Sequence, residues 1–258
     1  MRDFTSEKYR ELLQVLVDNK IDVYTVKDWI KRGPSKGTFI RHDVDRNPKN
    51  ALEISRIEYE MGLKTTYYFR ITSNSFNSDY IKQISERGHE IGYHYEDLSV
   101  SSGDFEKAER NFSQNLKTFR KICQVETIVA HGRPLSPIRN RDLIERINLA
   151  EYDLIGDASL SIDYHKTFYF SDTGRTWGST SANVRDTEKS LSFSNISSTD
   201  SLKTFLSNNR SKKIAIVMHP ERWPKNYVGY IKSVAFDLGA NFVKRNITLF
   251  GNFLGWQR

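Results

Sequence analysis

Short runs of β-branched and aromatic residues alternate along this chain with segments of helical periodicity, and that alternation limits its fold more than any other feature. Residues 38–45, 65–69, 90–94, 127–130, 167–170 and 213–218 read as strands. Tyr9, Leu12, Leu13, Leu16 and Val17 repeat at helical spacing. Asn47-Pro48 supplies an N-cap residue and a first-turn proline to a helix running to about Met61. That helix ends at Gly62, and the next, over residues 79–87, ends at Gly88, where the chain needs a residue able to take positive φ. Phe105, Ala108, Phe112, Leu116 and Phe119 form one apolar stripe, the mark of a core-packing face. Further helices are expected over residues 140–147 and about 227–238. Parallel strands need helical crossovers, so the pattern predicts an α/β fold with a parallel sheet, either closed as a barrel or open and doubly wound.

A chain of 258 residues suits one such unit, 1–258, with a helical extension at about 1–37 and no linker. Residues 171–200 are the one long polar stretch, and a loop of that length in a compact domain is usually functional or mobile. The single cysteine, Cys123, excludes an intramolecular disulfide and a Cys-rich zinc module. No apolar run approaches the ~20 residues of a membrane span, and the first residues lack the apolar stretch of a signal peptide, so a cytoplasmic protein is expected. The net charge of +7 would admit nucleic acid as a partner, but the basic residues are dispersed, and a solvated surface explains them better.

Polar chemistry in a parallel α/β fold gathers at the carboxyl ends of strands. Four such ends carry histidine: His42-Asp43-Val44-Asp45, His94-Tyr95-Glu96-Asp97, His131-Gly132-Arg133 and His219-Pro220. Core packing has no need of that coincidence. Alternation along a strand puts Asp43 and Asp45 on one face, where two close carboxylates repel unless a cation joins them. One holding a metal and the other accepting a proton is the natural division, with His94 a candidate ligand. His42 points the other way, and His89 begins its strand, so both read as structural.

These segments resemble the motifs of the polysaccharide deacetylases, the NodB-like group of carbohydrate esterase family 4. Residues 41–45 are similar to the strand-end Asp pair of their first motif, and Gly88-His89-Glu90-Ile91-Gly92-Tyr93-His94 to their second. His131-Gly132-Arg133-Pro134 sits where the third is expected, and Val217-Met218-His219-Pro220 resembles the last. The resemblance implies a distorted (β/α) barrel with a divalent metal, usually zinc. It implies Asp43 as general base, Asp45 and His94 as metal ligands, His219 as the acid for the leaving group, and Arg133 as a residue that orients or tunes the base. The family's second histidine ligand falls at i+4, where this chain has Leu98. A third ligand must then come from His131, or from Asp97 or Glu96; otherwise the metal has been lost.

Asp172, Arg175 and Trp177 leave a strand end, and they are expected to line a substrate cleft together with Trp223, which is suited to stacking on a sugar. Asp172-Thr173-Gly174 matches an aspartic-protease signature, but one copy in an α/β pattern is not that enzyme. There is no Gly-rich phosphate loop, serine elbow or His-Glu-x-x-His helix. The resemblance implies removal of an acetyl group from an amino sugar, free or nucleotide- or lipid-linked, in polysaccharide biosynthesis or modification. The alternatives are an inactive relative that binds carbohydrate, or a basic protein binding nucleic acid with steep salt dependence.

Overall fold

The computed structural model describes residues 2–133, 136–178, 191 and 196–239. Its strands are β1 (Val23–Tyr24), β2 (Gly37–Val44), β3 (Thr66–Phe69), β4 (Glu90–Tyr95), β5 (Val125–Ala130), β6 (Gly156–Asp157), β7 (Phe168–Ser171) and β8 (Lys213–Met218). They form one sheet in the order β6-β5-β4-β3-β2-β8-β7, with β1 added beside β2. Every pairing is parallel. Among the described residues β6 and β7 are the two ends of this order. The fold is therefore a distorted (β/α) barrel that stays open between those strands.

The helices are α1 (Ser6–Asp18), α2 (Val26–Arg32), α3 (Pro48–Glu60), α4 (Ser78–Glu86), α5 (Asp97–Val100), α6 (Phe105–Arg120), α7 (Arg141–Ile144) and α8 (Thr199–Asn208). Residues 227–239 are helical as well. Alternation splits each strand between two cores. Ile40, Val44, Tyr67, Phe69, Tyr93, Ile128, Ile216 and Met218 face outward and pack with Phe112, Leu116 and Phe119 of α6 and Leu12, Leu13 and Leu16 of α1. Each such side chain, fully buried, contributes roughly 1.5–3 kcal/mol. Phe39, Tyr68, Val129 and Ala215 face inward around Val26 and Trp29, so α2 plugs the barrel interior.

Two glycines are set by geometry. Gly62 has φ of 72° after α3, as expected. A Cβ on Gly92 would lie 2.1 Å from the Tyr68 ring, so the second motif needs glycine there for β3 and β4 to share the inner face.

The structure differs from the sequence reading at the ends of elements and in short ones. Asn47 adopts φ of 51° and makes no side-chain cap, so Pro48 alone marks the start of α3. The helix expected over 140–147 is the single turn of α7, followed by a 3-10 turn at Leu149–Tyr152. Within residues 1–37, expected as a helical extension, β1 joins the sheet, and Tyr9, Leu12 and Leu16 are fully buried. Within the polar stretch 171–200, residues 179–190 and 192–195 lie outside the described residues, as does Pro134 of the third motif.

Candidate active site

Parallel register brings the strand-end residues together. Val44 pairs with Phe69 and Phe69 with Tyr93, so one step further along the sheet Asp45, Arg70 and His94 stand in a row. Beside β4, Tyr95 pairs with Ala130, and the His131 N–H donates to the Tyr95 carbonyl at 2.8 Å, setting His131 level with Glu96. On the other side of β2, His42 pairs with Met218, which puts Asp43 level with His219.

Asp45, His94 and His131 offer ligand atoms that all lie within 4.8 Å of one another. Asp45 Oδ1 is 3.5 Å from His94 Nε2 and 3.4 Å from His131 Nε2. The other nitrogen of each ring is already committed. His94 Nδ1 is 3.1 Å from the Val129 carbonyl, which only accepts, so Nδ1 carries the proton. His131 Nδ1 is 3.2 Å from Glu96 Oε2 and donates to it. Both Nε2 atoms therefore turn lone pairs toward Asp45 Oδ1, a buried oxygen with no hydrogen-bond partner. Three unprotonated donors, one carboxylate and two imidazoles, facing one another are mutually repulsive until a cation lies between them. This is the donor set of open catalytic zinc sites, and the residues present fit a divalent metal.

Charge supports the assignment. Burial pushes Asp45 up, but His131 and His94, when either ring carries a second proton, outweigh it and hold the carboxyl well below the usual range. Burial lowers His131, more than Asp45 and Glu96 raise it, which favours the neutral imidazole that can ligate. Glu96 is buried, yet His131 and Arg70 bring its carboxyl down to about 2. Arg70 holds Glu96 Oε1 through Nε at 3.0 Å and Nη2 at 2.7 Å, and its Nη1 reaches the Asp45 carbonyl at 3.4 Å. A closed chain of contacts thus runs from Asp45 through Arg70 and Glu96 to His131.

Asp43 is 5% exposed and accepts from Arg41 Nη2 at 2.8 Å. Burial raises its pKa, but Arg41, His94 and His219 overcome that and keep it ionised below its ordinary value. His219 Nδ1 lies 2.6 Å from Asp172 Oδ1. Burial and Arg222 push the imidazole down; the Asp172 carboxylate outweighs them, and its pKa ends above the ordinary value.

Several expected roles change with this geometry. Arg133 does not serve the base: its Nε is 3.8 Å from Glu96 and its Nη1 3.5 Å from Ser99 Oγ, and Arg41 holds Asp43 instead. Asp172 and Trp223 are not cleft-lining residues, at 0% and 1% exposure. Asp172 accepts from the His219 N–H and Nδ1, Arg222 Nη1 and Trp223 Nε1, at 2.6–2.9 Å. It is the carboxylate that orients His219. Trp223 packs on Phe4, Tyr9 and Trp177. Arg175 is spent on Asp237 at 2.9 Å and Ser233 at 2.7 Å, rather than on an open wall. Leu98 is buried in the outer core at 1% exposure, so its position does not address the site. Asp97 turns away as well, accepting from Tyr93 and Asn115 at 2.8 Å, and burial lifts it to about 6.

No protein-family model matches this chain, and no curated protein does either. Solved structures it is similar to include two family 4 carbohydrate esterases and a family 4 pseudoenzyme. One, from Streptococcus mutans, is 14% identical over 89% of each chain, with a TM-score of 0.45. A family 4 carbohydrate esterase from Bacillus anthracis is 14% identical over 82% of this chain and 76% of its own, with a TM-score of 0.40. A family 4 pseudoenzyme from the same organism is 10% identical over 75% and 70%, with a TM-score of 0.43.

The sequence reading missed Arg41 and the orienting role of Asp172. Arg41 was visible in principle, because it is two residues from Asp43 and shares its face. Asp172 was visible only through the pairing of β7 with β8, which no local pattern encodes.

Proposed function

We propose that this protein is a metal-dependent carbohydrate deacetylase that hydrolyses an N- or O-acetyl group on an amino sugar. The observation that carries the reading is the unpartnered Asp45 Oδ1 facing two Nε2 lone pairs, with a base on one side and an oriented imidazolium on the other. The acetylated sugar as substrate class comes from the motif resemblance around Asp43, His94 and His219.

Asp45, His94 and His131 would hold the metal, with zinc suited to the donor set. When bound, such an ion supplies a Lewis acid that polarises an acyl carbonyl and makes water more acidic. The chain's own residues do the rest. Asp43, ionised and fixed by Arg41, accepts a proton from the attacking water as its oxygen adds to the acyl carbon. His219, charged and held by Asp172, donates its Nδ1-opposed proton at Nε2 to the departing amine or alcohol as the acyl bond breaks, releasing acetate. Asp172 fixes that tautomer and stabilises the imidazolium.

The test is metal content by elemental analysis on wild type and on Asp45→Ala/His94→Ala, followed by acetate release from acetylated amino sugars and their nucleotide- and lipid-linked forms. The reading expects stoichiometric metal lost in the double variant, and acetate release dependent on it. Metal bound without acetate release, but with sugar bound, would assign the inactive carbohydrate-binding alternative. Failure of wild type to bind metal would sink the hydrolase reading.

A further inference from the structure

The helix over residues 227–239 is seated with its polarity reversed. At ~100° per residue, Tyr227, Val228, Ile231 and Leu238 share one arc of roughly 100°, and Ser233 and Asp237 lie opposite. An ordinary surface helix buries the first group and exposes the second. Here Ser233 and Asp237 are buried at 8% and 5%, whereas Tyr227, Val228, Ile231 and Leu238 are 48–65% exposed. The inward face is anchored by charge. Asp237 Oδ2 takes Arg175 Nε at 2.9 Å, and Oδ1 lies 3.6 Å from both Arg46 and Arg222. Ser233 Oγ accepts from Arg175 and donates to the Glu221 carbonyl at 2.8 Å. The orientation is therefore fixed by a buried ionic network, and turning the helix over would take Asp237 and Ser233 from Arg175 and a second acid from Arg46 and Arg222.

The described charge nearest the outward stripe is mostly basic. Lys225 and Lys232 are exposed at its edges, and Arg2 stacks on the Tyr227 ring at 4.3 Å. The only acid in the helix, Asp237, faces inward. Glu60, which lies near Lys225, is paired with Arg10 at 2.6 Å. Phe236 is exposed too, but it is covered on one side by the Arg46 guanidinium at 3.6 Å. Apolar side chains ending in tyrosine and rimmed mainly by cations among the described residues match the layered chemistry of a bilayer surface, with hydrocarbon below and anionic headgroups above. A protein partner would ordinarily find acids as well as bases at such a rim. No described helix is long and apolar enough to cross a membrane, so this helix would lie on the surface.

We infer that the helix over residues 227–239 docks this protein on an anionic lipid surface, by inserting Tyr227, Val228, Ile231 and Leu238 while Lys225, Lys232 and Arg2 meet the headgroups. The inward face of the same helix touches Arg46, next to Asp45, and the carbonyl of Glu221, two residues past His219. Docking thus sets the candidate site beside the bilayer. On the deacetylase reading, which this last step rests on, the substrate is a lipid-anchored saccharide.

The experiment is flotation of the full chain with unilamellar vesicles of phosphatidylcholine alone or mixed equally with phosphatidylglycerol, for wild type, Ile231→Glu/Leu238→Glu, and Lys225→Glu/Lys232→Glu. Circular dichroism and metal content check that each variant is folded and loaded. Wild type should float with the anionic vesicles and much less with the neutral ones. Both variants should partition about tenfold or more weaker at unchanged fold and metal content. No binding by wild type at low salt would overturn the proposal, as would Ile231→Glu/Leu238→Glu binding as well as wild type. A dimer in light scattering that the same substitutions abolish, without vesicle binding, would assign the face to a second copy instead. Vesicle binding is read on the protein alone, so failure of the deacetylase reading leaves this result standing, and the reverse.

Discussion

Two carboxylates in this fold sit among histidines, and they are finished in opposite ways. Glu58, on α3 beneath the outer face of the sheet, is fully buried. Its Oε1 accepts from Tyr9 Oη and contacts His42 Nε2 at 2.7 Å, and its Oε2 accepts from Tyr67 Oη and from Thr65 Oγ1 at 2.8 Å. Asp45, at the carboxyl end of β2, also has two histidines beside it, yet its buried Oδ1 has no hydrogen-bond partner. A carboxylate whose oxygens are saturated by the protein is a structural joint. One left open among aligned lone pairs is a site. Glu58 is fully buried and Asp45 half-buried, but both carboxylates face two histidines, and the hydrogen positions make the difference.

The largest expected effect lies on the side of the open site. Asp43→Asn should lower kcat for acetate release by about 10²–10⁴-fold with metal content unchanged, since only the proton acceptor is removed. A kcat within threefold of wild type would remove Asp43 from the chemistry. On the structural side, Glu58→Gln should cost about 2–4 kcal/mol in denaturant unfolding, because an amide nitrogen cannot accept from the donors that converge there. Its metal affinity should stay the same, and a loss of metal without a loss of stability would erase the distinction drawn between the two carboxylates.

Glu96 tests the boundary between them, being a carboxylate that holds a ligand rather than binding the metal. Glu96→Gln should weaken metal binding about 10–100-fold in a chelator competition, with stability close to wild type. Acidification should separate the regions again. Glu58 is buried, but His42 and its other partners hold its pKa at about 2 against an ordinary 4.5. Its contribution to stability is therefore full above pH ~4.5 and lost as the pH falls toward ~2. Unfolding free energy should fall through that window, and less so in Glu58→Gln. His219 has the opposite sign: its raised pKa keeps the acid charged below that value, so kcat should decline as the pH rises through it. Asp172→Asn should move that decline to lower pH.

The long elements were legible from the sequence because their signals are local. The stripe from Phe105 to Phe119 gives α6, and the apolar run before His219 gives β8. That Asp43, Asp45 and His94 gather at one edge of the sheet was legible because alternation and strand ends are also local. What comes from pairing between distant strands was less so. His131 was only one of three candidates for the third ligand, since a motif read at i+4 looks along the chain and the ligand arrives from β5 through its register with β4. The expected placement of Asp172 and Trp223 on a cleft wall failed for the same reason: polar residues after a strand look exposed until the neighbouring strand covers them. β1, of two residues, has no periodicity to read, and α8 starts at the end of a segment rich in serine and asparagine.

On the proposed function, His131 rather than a residue at position 98 completes a metal site with Asp45 and His94. The most direct test is a zinc-binding isotherm on metal-free wild type and His131→Ala, with circular dichroism to confirm that both are folded. Wild type should bind one zinc per chain, and the variant should bind it at least about 100-fold more weakly. Equal affinity in both proteins, or no binding in wild type, would contradict that assignment.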